Sequence, residues 1–119
     1  MANQAPVVLI LENDACTQRE YAVVLGEKLT LLQATTIKDA QKLFNEHIAH
    51  ISAVVVRGPI FDGNISSADF ADDCRRRFTG KVIGIARDGL DRGILGQSGC
   101  HFTVLTPLEV SQKIIELLG

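Results

Sequence analysis

The chain has 119 residues, of which 46% are apolar and 22% are charged. A chain of this length and composition buries roughly two-thirds of its extended surface on folding, which excludes a disordered protein and predicts a single domain over residues 1–119. Its net charge of −2 argues against a nucleic-acid-binding protein. The longest uninterrupted apolar run, Val7–Leu11, is far shorter than the roughly 20 residues of a membrane-spanning helix. A cytoplasmic protein that does not contact the membrane is therefore expected.

The three cysteines, Cys16, Cys74 and Cys100, have none of the spacings typical of a zinc site. An odd number of cysteines cannot all pair within one chain, so reduced thiols are the simplest interpretation. Cys74 is expected in the core of a helix, and Cys16 in the loop after the first strand, where a redox role stays open. Neither a metal nor a cofactor is predicted.

Strands and helices alternate through the first half of the chain. Val7–Leu11 is a continuous apolar run, as expected for a strand covered on both faces. Thr17–Glu20 has capping-box spacing and predicts the start of a first helix, whose apolar face includes Tyr21 and Val24. The next elements are a second strand within Leu29–Thr36, a second helix opened by Thr36–Asp39, and a third strand over Ile51–Val56.

The same alternation continues through the second half. Phe61–Ile65 has the composition of a turn, and a third helix is predicted to start at Ser66 or Ser67 with Ala68, Ala71, Cys74 and Phe78 facing inward. A fourth strand is predicted over Lys81–Ala86. The following glycine-rich segment can hold only a weak helix, because each interior glycine costs about 1 kcal/mol relative to alanine. Phe102–Leu105 predicts a fifth strand, and Thr106–Glu109 opens the last helix.

Five strand–helix units predict an α/β fold, a doubly wound five-stranded parallel sheet flanked by five helices. Sites in such sheets lie at the carboxyl ends of the strands. The residues that follow the strands are therefore the candidate site residues: Glu12, Asn13, Arg57, Ala86 and Thr106.

The five units, with an acidic residue after the first strand, resemble the receiver domain of two-component response regulators, which has a flavodoxin-like fold. The resemblance covers Val7 to Leu118. In that family two acidic residues after the first strand hold Mg²⁺, and an Asp after the third strand accepts a phosphoryl group. A Thr or Ser after the fourth strand and a Lys after the fifth contact the phosphoryl oxygens.

This chain keeps the spacing of the receiver family but not its chemistry. Glu12 and Asn13 stand at the acidic pair, Arg57 at the phospho-accepting Asp, Ala86 at the Thr or Ser, and Thr106 at the Lys. A guanidinium stays protonated and has no lone pair with which to attack phosphorus. The resemblance therefore implies a degenerate receiver, or pseudo-receiver, which is not an enzyme and acts as a signalling or regulatory protein-interaction module.

Two orientations of Arg57 are open. Its guanidinium could pair with Glu12 and stand in for the metal, which would hold the pocket in one state. Alternatively, Arg57 points to solvent from a loop that has lost its function.

The resemblance also implies a protein partner, which would be a histidine kinase, an output domain or another regulator. Receiver domains commonly dock through the faces around the fourth helix, fifth strand and fifth helix, so Thr103, Pro107 and Gln112 mark an expected interaction face. Thr103 stands where the family usually has a switch aromatic. The resemblance also allows a homodimer through this face.

Two other functions remain open from the sequence. A doubly wound domain could bind a small ligand such as a nucleotide or flavin, although the acidic, glycine-free segment Glu12–Cys16 disfavours phosphate. Alternatively, a working receiver could use a displaced acceptor such as Asp62.

Overall fold

The computed structural model describes residues 5–118. Within them, seven strands and five helices follow in the order β1 (Val7–Leu11), α1 (Ala15–Leu25), β2 (Thr30–Ala34), α2 (Ile37–His47), β3 (Ile51–Arg57), β4 (Phe61–Asp62), β5 (Ile65–Ser66), α3 (Ser67–Arg77), β6 (Lys81–Ile85), α4 (Gly89–Gln97), β7 (Phe102–Val104) and α5 (Pro107–Leu118).

Five of the strands form one parallel sheet in the order β2-β1-β3-β6-β7. The two-residue strands β4 and β5 form a separate antiparallel hairpin, within the segment predicted as a turn. Helices α1 and α5 cover one face of the sheet, and α2, α3 and α4 cover the other. The predicted fold class, a doubly wound flavodoxin-like α/β domain, is confirmed.

Strand β1 is apolar at every position, and β3 and β6 are apolar apart from Ser52, Arg57 and Lys81, because both faces of these central strands are buried. In β1, Leu9 and Leu11 face the α2–α3–α4 layer, whereas Val8 and Ile10 face the α1–α5 layer. The other central strands alternate in the same way. Each face of the sheet therefore has its own hydrophobic core.

Three phenylalanines organise the core of the α2–α3–α4 layer. The Phe44 ring packs edge-to-face against Phe70 and Phe78, with centroid distances of 6.1 and 6.0 Å. Such pairs add to the stabilisation from burial alone. Phe70 is absent from the predicted inward face of the third helix, and Ala68, predicted to face inward, is only half-buried. The larger side chain fills the space between α3 and α2.

All five helices that the structure describes begin at a side chain that accepts a backbone hydrogen bond, with Thr36 at α2 and Thr106 at α5. The Asp14 carboxylate caps α1 and accepts from the Thr17 amide at 2.9 Å, so the predicted start at a Thr17–Glu20 capping box is wrong. Cys16 accordingly lies exposed in the first turn of α1 and not in a loop. Ser66 caps α3 in a capping box with Asp69. Asp88 caps α4, which extends over nine residues despite three glycines.

Several predicted boundaries move by one or two residues. The second strand is confined to Thr30–Ala34, the third extends to Arg57, and the fourth ends at Ile85. Val24, predicted to be part of the core, is exposed on α1. Within residues 5–118, none of the helices has both the length and the apolar character needed to cross a membrane.

Candidate functional site

The candidate site lies at the carboxyl edge of the parallel sheet. Glu12 follows β1, Arg57 is the last residue of β3, Ala86 follows β6, and Thr106 precedes α5. Parallel strands bring these four positions to one edge although they are far apart in sequence. Arg57 and Thr106 line a common groove, and Glu12 and Asn13 line an adjoining one that also includes Arg57.

A buried ion pair lies at the centre of the site. Arg57 Nε donates to Glu12 Oε1 at 2.7 Å, with Glu12 1% and Arg57 15% exposed. The second carboxylate oxygen of Glu12 accepts from the Asp14 amide at 3.0 Å. Both Glu12 oxygens therefore have donors, which a buried carboxylate needs to offset its loss of water. Of the two orientations considered for Arg57, the structure has the one paired with Glu12.

Gln18 supports the backbone around Glu12. Its side-chain amide nitrogen lies 2.9 to 3.3 Å from the carbonyl oxygens of Ile10, Glu12 and Ala34. Gln33 in turn donates to the Gln18 side-chain oxygen at 2.8 Å. This buried amide joins the ends of β1 and β2 to α1. The sequence analysis missed Gln18, and the one signal for it was its i, i+3 spacing from Tyr21 on the buried side of the helix.

Tyr21 is a second buried polar residue that the sequence analysis did not identify as part of the site. Its hydroxyl is buried and has no hydrogen-bond partner within the part of the chain that the structure describes. Burial raises the pKa of the phenol above its usual value, and the nearby Glu12 carboxylate raises it further. Tyr21 therefore stays neutral beneath the ion pair.

The start of α1 is occupied by a carboxylate. Asp14 accepts from both the amide and the hydroxyl of Thr17, at 2.9 and 2.7 Å. These hydrogen bonds lower the pKa of Asp14. An ionised carboxylate at this helix N-terminus repels a phosphate group. The geometry thus disfavours nucleotide or flavin phosphates at this position, as the acidic sequence of the loop predicted.

Ala86 contributes only backbone groups to the site. Its amide donates to the Val104 carbonyl, and its carbonyl accepts from Arg92 Nη1 at 2.9 Å. Arg92 Nη1 also lies 2.9 Å from the Arg87 carbonyl oxygen. The Arg92 side chain thereby ties the segment after β6 to α4.

Thr106 uses its hydroxyl to cap α5. Thr106 Oγ1 accepts from the Glu109 amide at 3.2 Å and donates to Glu109 Oε1 at 3.1 Å. Glu109 Oε1 also accepts from the amides of Leu105 and Thr106. This reciprocal capping box fixes the start of α5, so the Thr106 hydroxyl is engaged within the chain.

The residues at the sheet edge do not fit the Mg²⁺ that the receiver resemblance implies. Mg²⁺ requires octahedral oxygen ligands that include carboxylates. Here the Glu12 oxygens accept from Arg57 and from a backbone amide, and Asp14 is engaged with Thr17. The Arg57 guanidinium already balances the charge of Glu12. Within residues 5–118, no three His, Cys, Asp or Glu side chains are grouped so that they could hold a metal ion.

Of the remaining predicted residues, Pro107 lines the groove that contains Arg57 and Thr106, and the others lie away from the ion pair. Asp62 is exposed on the β4–β5 hairpin, outside the set of residues that line the two grooves. Thr103 is exposed on β7 and lies beside Gly96 of α4. Pro107 also lines a groove between α1 and α5, and Gln112 is exposed on α5. The structure therefore does not join Thr103 and Pro107 in one groove.

The three cysteines are free. Cys74 is buried in α3, as predicted, and burial raises its pKa. Burial also raises the pKa of Cys100 to about 12. Both thiols therefore stay protonated at neutral pH and are poor nucleophiles.

Structural comparison finds receiver domains. A response regulator receiver domain protein (CheY-like) from Methanospirillum hungatei JF-1 superimposes with a TM-score of 0.78 at 13% identity, over 97% of this chain and 94% of that one. A putative response regulator from Chloroflexus aurantiacus J-10-fl gives a TM-score of 0.79 at 14% identity, over 97% and 98% of the two chains.

A third similar structure is longer than this chain. It is a probable two-component system response regulator/GGDEF domain protein, matched with a TM-score of 0.78 at 19% identity. The match covers 98% of this chain and 50% of that one, so this chain spans about half its length. No family model and no curated protein matches the sequence. At these identities, the structural similarity establishes the fold.

Proposed function

We propose that this receiver-like domain acts without phosphorylation, as a signalling or regulatory protein-interaction module with no catalytic activity. The observation that carries the proposal is the 2.7 Å pair between Arg57 and the buried Glu12. In the resemblance to receivers, Arg57 stands at the phospho-accepting aspartate, and this pair supports the proposal because it engages that residue as a cation within the chain.

Phosphoryl transfer requires groups that this edge does not provide. It needs a nucleophile in line with the leaving group, and positive charge placed on the phosphoryl oxygens. Arg57 cannot supply the nucleophile because its guanidinium has no free lone pair. It does supply positive charge, but Glu12 neutralises that charge within the pair. Ala86 and Thr106 offer neither a free hydroxyl nor a charge, since Ala86 has no hydroxyl and the Thr106 hydroxyl caps α5.

The same contacts support a domain with one conformation at this edge. Arg57 binds Glu12, Arg92 holds the carbonyl of Ala86, and Glu109 holds Thr106. Each contact is made within the chain and needs no added ion or phosphoryl group. We infer that the faces beside these elements are presented to a partner constitutively.

Protein partners follow from the same proposal. The similar response regulator/GGDEF domain protein is about twice the length of this chain, which favours an output domain as one class of partner. A histidine kinase or another regulator would be recognised through the same surfaces. Specificity would then come from shape and charge at the contact, because no phosphoryl group signals the active state.

An amide NMR titration tests the proposal directly. Mg²⁺ is added to the isotope-labelled protein, followed by beryllofluoride, an analogue of the acyl phosphate. The native protein is expected to show no saturable shifts at residues 10–16 or 57. Saturable shifts of Glu12 and Asp14 with either addition would overturn the proposal, because they require a working metal or phosphoryl site.

The variant Arg57→Asp provides the matched control. It removes the internal cation and places a second carboxylate beside Glu12, so Mg²⁺-dependent shifts are expected in this variant. Beryllofluoride is not expected to produce the full response of a receiver, because Ala86 and Thr106 are unchanged. Asp62→Asn in the native background should leave every spectrum unresponsive. If the native protein binds beryllofluoride and Asp62→Asn abolishes that binding, the displaced-acceptor function is correct instead.

A further inference from the structure

A small apolar groove lies between the β4–β5 hairpin and the helices α3 and α4. Its walls include Phe61 on the hairpin, Ala68 on α3 and Ile94 on α4, and the buried residues Gly58 and Leu95 lie at its bottom. The groove has a volume of about 120 Å³. A cavity of about 150 Å³ holds one benzene molecule, so this groove has room for a single aliphatic side chain.

The rim of this groove carries exposed apolar side chains. Phe61 is 74% exposed and Ile94 is 43% exposed. In the hairpin Phe61 lies opposite Ser66, and both line the groove. The neighbouring pair, Asp62 and Ile65, lies on the other side of the hairpin, because side chains alternate along a strand. An exposed aromatic ring beside a small pocket is typical of an interaction site.

Asp91 is the one charged residue among the groove-lining residues that the structure describes. It lies three residues before Ile94, on the same side of α4. Asp91 is half-buried, and within residues 5–118 it makes neither a hydrogen bond nor an ion pair. The adjacent Arg92 donates instead to the carbonyl oxygens of Ala86 and Arg87. The Asp91 carboxylate is therefore available to a cation that a partner brings.

The surface around this carboxylate is acidic. The groove shares Gly58, Pro59 and Asp91 with the groove beside the ion pair, so the two adjoin. Together they are lined by four carboxylates and two guanidinium groups: Glu12, Asp14, Asp88 and Asp91 against Arg57 and Arg87. Since carboxylates outnumber the cations, the two grooves favour a positively charged ligand.

The flanking elements add no excess of positive charge. Helix α3 carries three aspartates and three arginines, and its arginines are in the last turn, whereas the groove lies at its first turn. Helix α2, which contacts β4, has two exposed cations and two exposed carboxylates: Lys38, Lys42, Asp39 and Glu46. The local excess of carboxylates is thus not offset by the neighbouring helices.

We propose that this groove binds a segment of a protein partner in which an aliphatic side chain lies close to Lys or Arg. The aliphatic side chain enters between Phe61 and Ile94, and the cation binds the carboxylate of Asp91. This inference rests on the proposed function, for which it names the kind of segment that is recognised. The groove is separate from the face expected from the receiver resemblance, since Thr103, Pro107 and Gln112 are not among its lining residues.

Other kinds of segment fit the groove less well. An acidic segment would place like charges together at Asp91. A purely apolar segment would cover Asp91 without giving it a partner, and burying an unpaired carboxylate is costly. A cation beside the aliphatic side chain avoids both costs.

Subtractive selection from a displayed library of short random peptides tests the proposal. The library is first passed over the double variant Phe61→Ser/Asp91→Lys, which removes peptides that bind elsewhere on the protein, and then over the native full chain. The recovered peptides are expected to share an aliphatic residue close to Lys or Arg. Recovery of no peptide that depends on the groove would overturn the proposal, as would recovered peptides that are acidic or uncharged.

Calorimetric titration of a recovered peptide, made synthetically, measures the contribution of each residue. Asp91→Lys should raise the dissociation constant about tenfold or more, whereas the milder Asp91→Asn should raise it by a smaller factor. The matched control Glu46→Lys reverses a charge on exposed α2 and should leave the constant unchanged. Phe61→Ser should also weaken binding, and Leu108→Ser, at an exposed position of α5, should not.

A charge swap makes the test specific. Replacing the cation of the peptide with Glu should weaken its binding to the native protein and restore binding to Asp91→Lys. Circular dichroism establishes that each variant is folded. Unchanged affinity for Asp91→Lys, or no recovery in the swap, would show that the peptide does not contact Asp91 and would overturn the proposal.

A second copy of the chain is the competing occupant. If the amide signals of Phe61 and Ile94 shift with protein concentration when no peptide is present, the groove binds another copy and the proposal is wrong. Failure here is distinguishable from failure of the proposed function. Peptide binding depends on Phe61 and Asp91, whereas the beryllofluoride titration reports on Glu12 and Asp14.

Discussion

The two layers that cover the sheet differ in the side chains that fill their interiors. The α2–α3–α4 layer contains the buried cluster of Phe44, Phe70 and Phe78, whose rings meet edge to face. The α1–α5 layer contains Tyr21, whose buried hydroxyl has no partner within residues 5–118. Both layers leave large apolar side chains exposed, such as Leu108 on α5 and Leu90 on α4.

This difference indicates a division of roles between the layers. Dense aromatic packing gives the α2–α3–α4 layer its stability and leaves few polar groups inside it. The α1–α5 layer instead holds Gln18, which ties the strand ends below Glu12. Support of the site therefore belongs to the layer that has polar side chains in its interior, and the following substitutions test that contrast.

The largest loss of stability is expected from Phe44→Ala. Phe44 is fully buried and contacts two other aromatic rings, so its truncation leaves a cavity and should cost about 3 to 5 kcal/mol in the free energy of unfolding. Urea denaturation measures this loss. Val24→Ala on the other layer serves as the matched substitution and should change stability by less than about 0.5 kcal/mol. Similar losses for the two would contradict the division of roles.

Arg57→Ala should cost about 3 kcal/mol, because it leaves the buried Glu12 carboxylate without its cation. The same denaturation experiment measures the loss, and amide signals of residues 10–16 should move. Arg87→Ala provides the control, since Arg87 lines the same grooves but is exposed. Equal stability of the Arg57 and Arg87 variants would mean that the ion pair contributes nothing to the fold.

Tyr21→Phe is expected to stabilise the protein, by about 1 kcal/mol. The substitution keeps the ring and removes a buried hydroxyl that makes no hydrogen bond within the described residues, and unsatisfied polar groups of this kind are costly. A rise in melting temperature measures the gain. A lower melting temperature would show that the hydroxyl has a hydrogen-bond partner, such as a bound water. The buried polar groups of the α1–α5 layer would then be as fully hydrogen-bonded as those of the α2–α3–α4 layer.

The sequence predicts the sheet and its candidate site edge because both depend on the apolar runs and on their order along the chain, and not on how individual side chains pack. Continuous apolar runs of four or five residues, such as Val7–Leu11, identify strands covered on both faces. Their order along the chain then places Glu12, Arg57, Ala86 and Thr106 at one edge. The exact start of α1 is harder to predict, because Asp14 and Thr17 both suit an N-cap position. In the structure Asp14 is the N-cap, and its carboxylate accepts hydrogen bonds from Thr17.

Contacts between distant residues explain what the sequence could not predict. Two orientations of Arg57 are consistent with the sequence pattern. The orientation in the structure, paired with Glu12, depends on the burial of a carboxylate that lies 45 residues away in sequence. The sequence does not distinguish Gln18 from an exposed polar residue of a helix. Its role depends on the fold, which brings the carbonyl groups at the ends of β1 and β2 to its side-chain amide. Val24 has core spacing but faces the gap between α1 and α5.

The smallest expected effect is a pH dependence that belongs to the α2–α3–α4 side of the molecule. His101 Nδ1 accepts from the Val82 amide at 3.0 Å. Partial burial lowers the pKa of His101 below its ordinary value of 6.5, and the positive charges of Arg75 on α3 and Lys81 on β6 lower it further.

As the pH falls below about 6.5, the unfolded chain takes up a proton at His101 while the folded protein does not. Protonation thus favours the unfolded state, so this contribution to stability is complete above pH 6.5 and is lost on acidification. The melting temperature of the native protein should therefore fall more between pH 7.5 and about 5 than that of His101→Asn, whose side-chain oxygen can still accept from Val82. His50→Asn, at an exposed histidine, should follow the native curve. If His101→Asn also follows the native curve, the imidazole does not titrate differently in the folded protein, and the α2–α3–α4 side has no pH response of this origin.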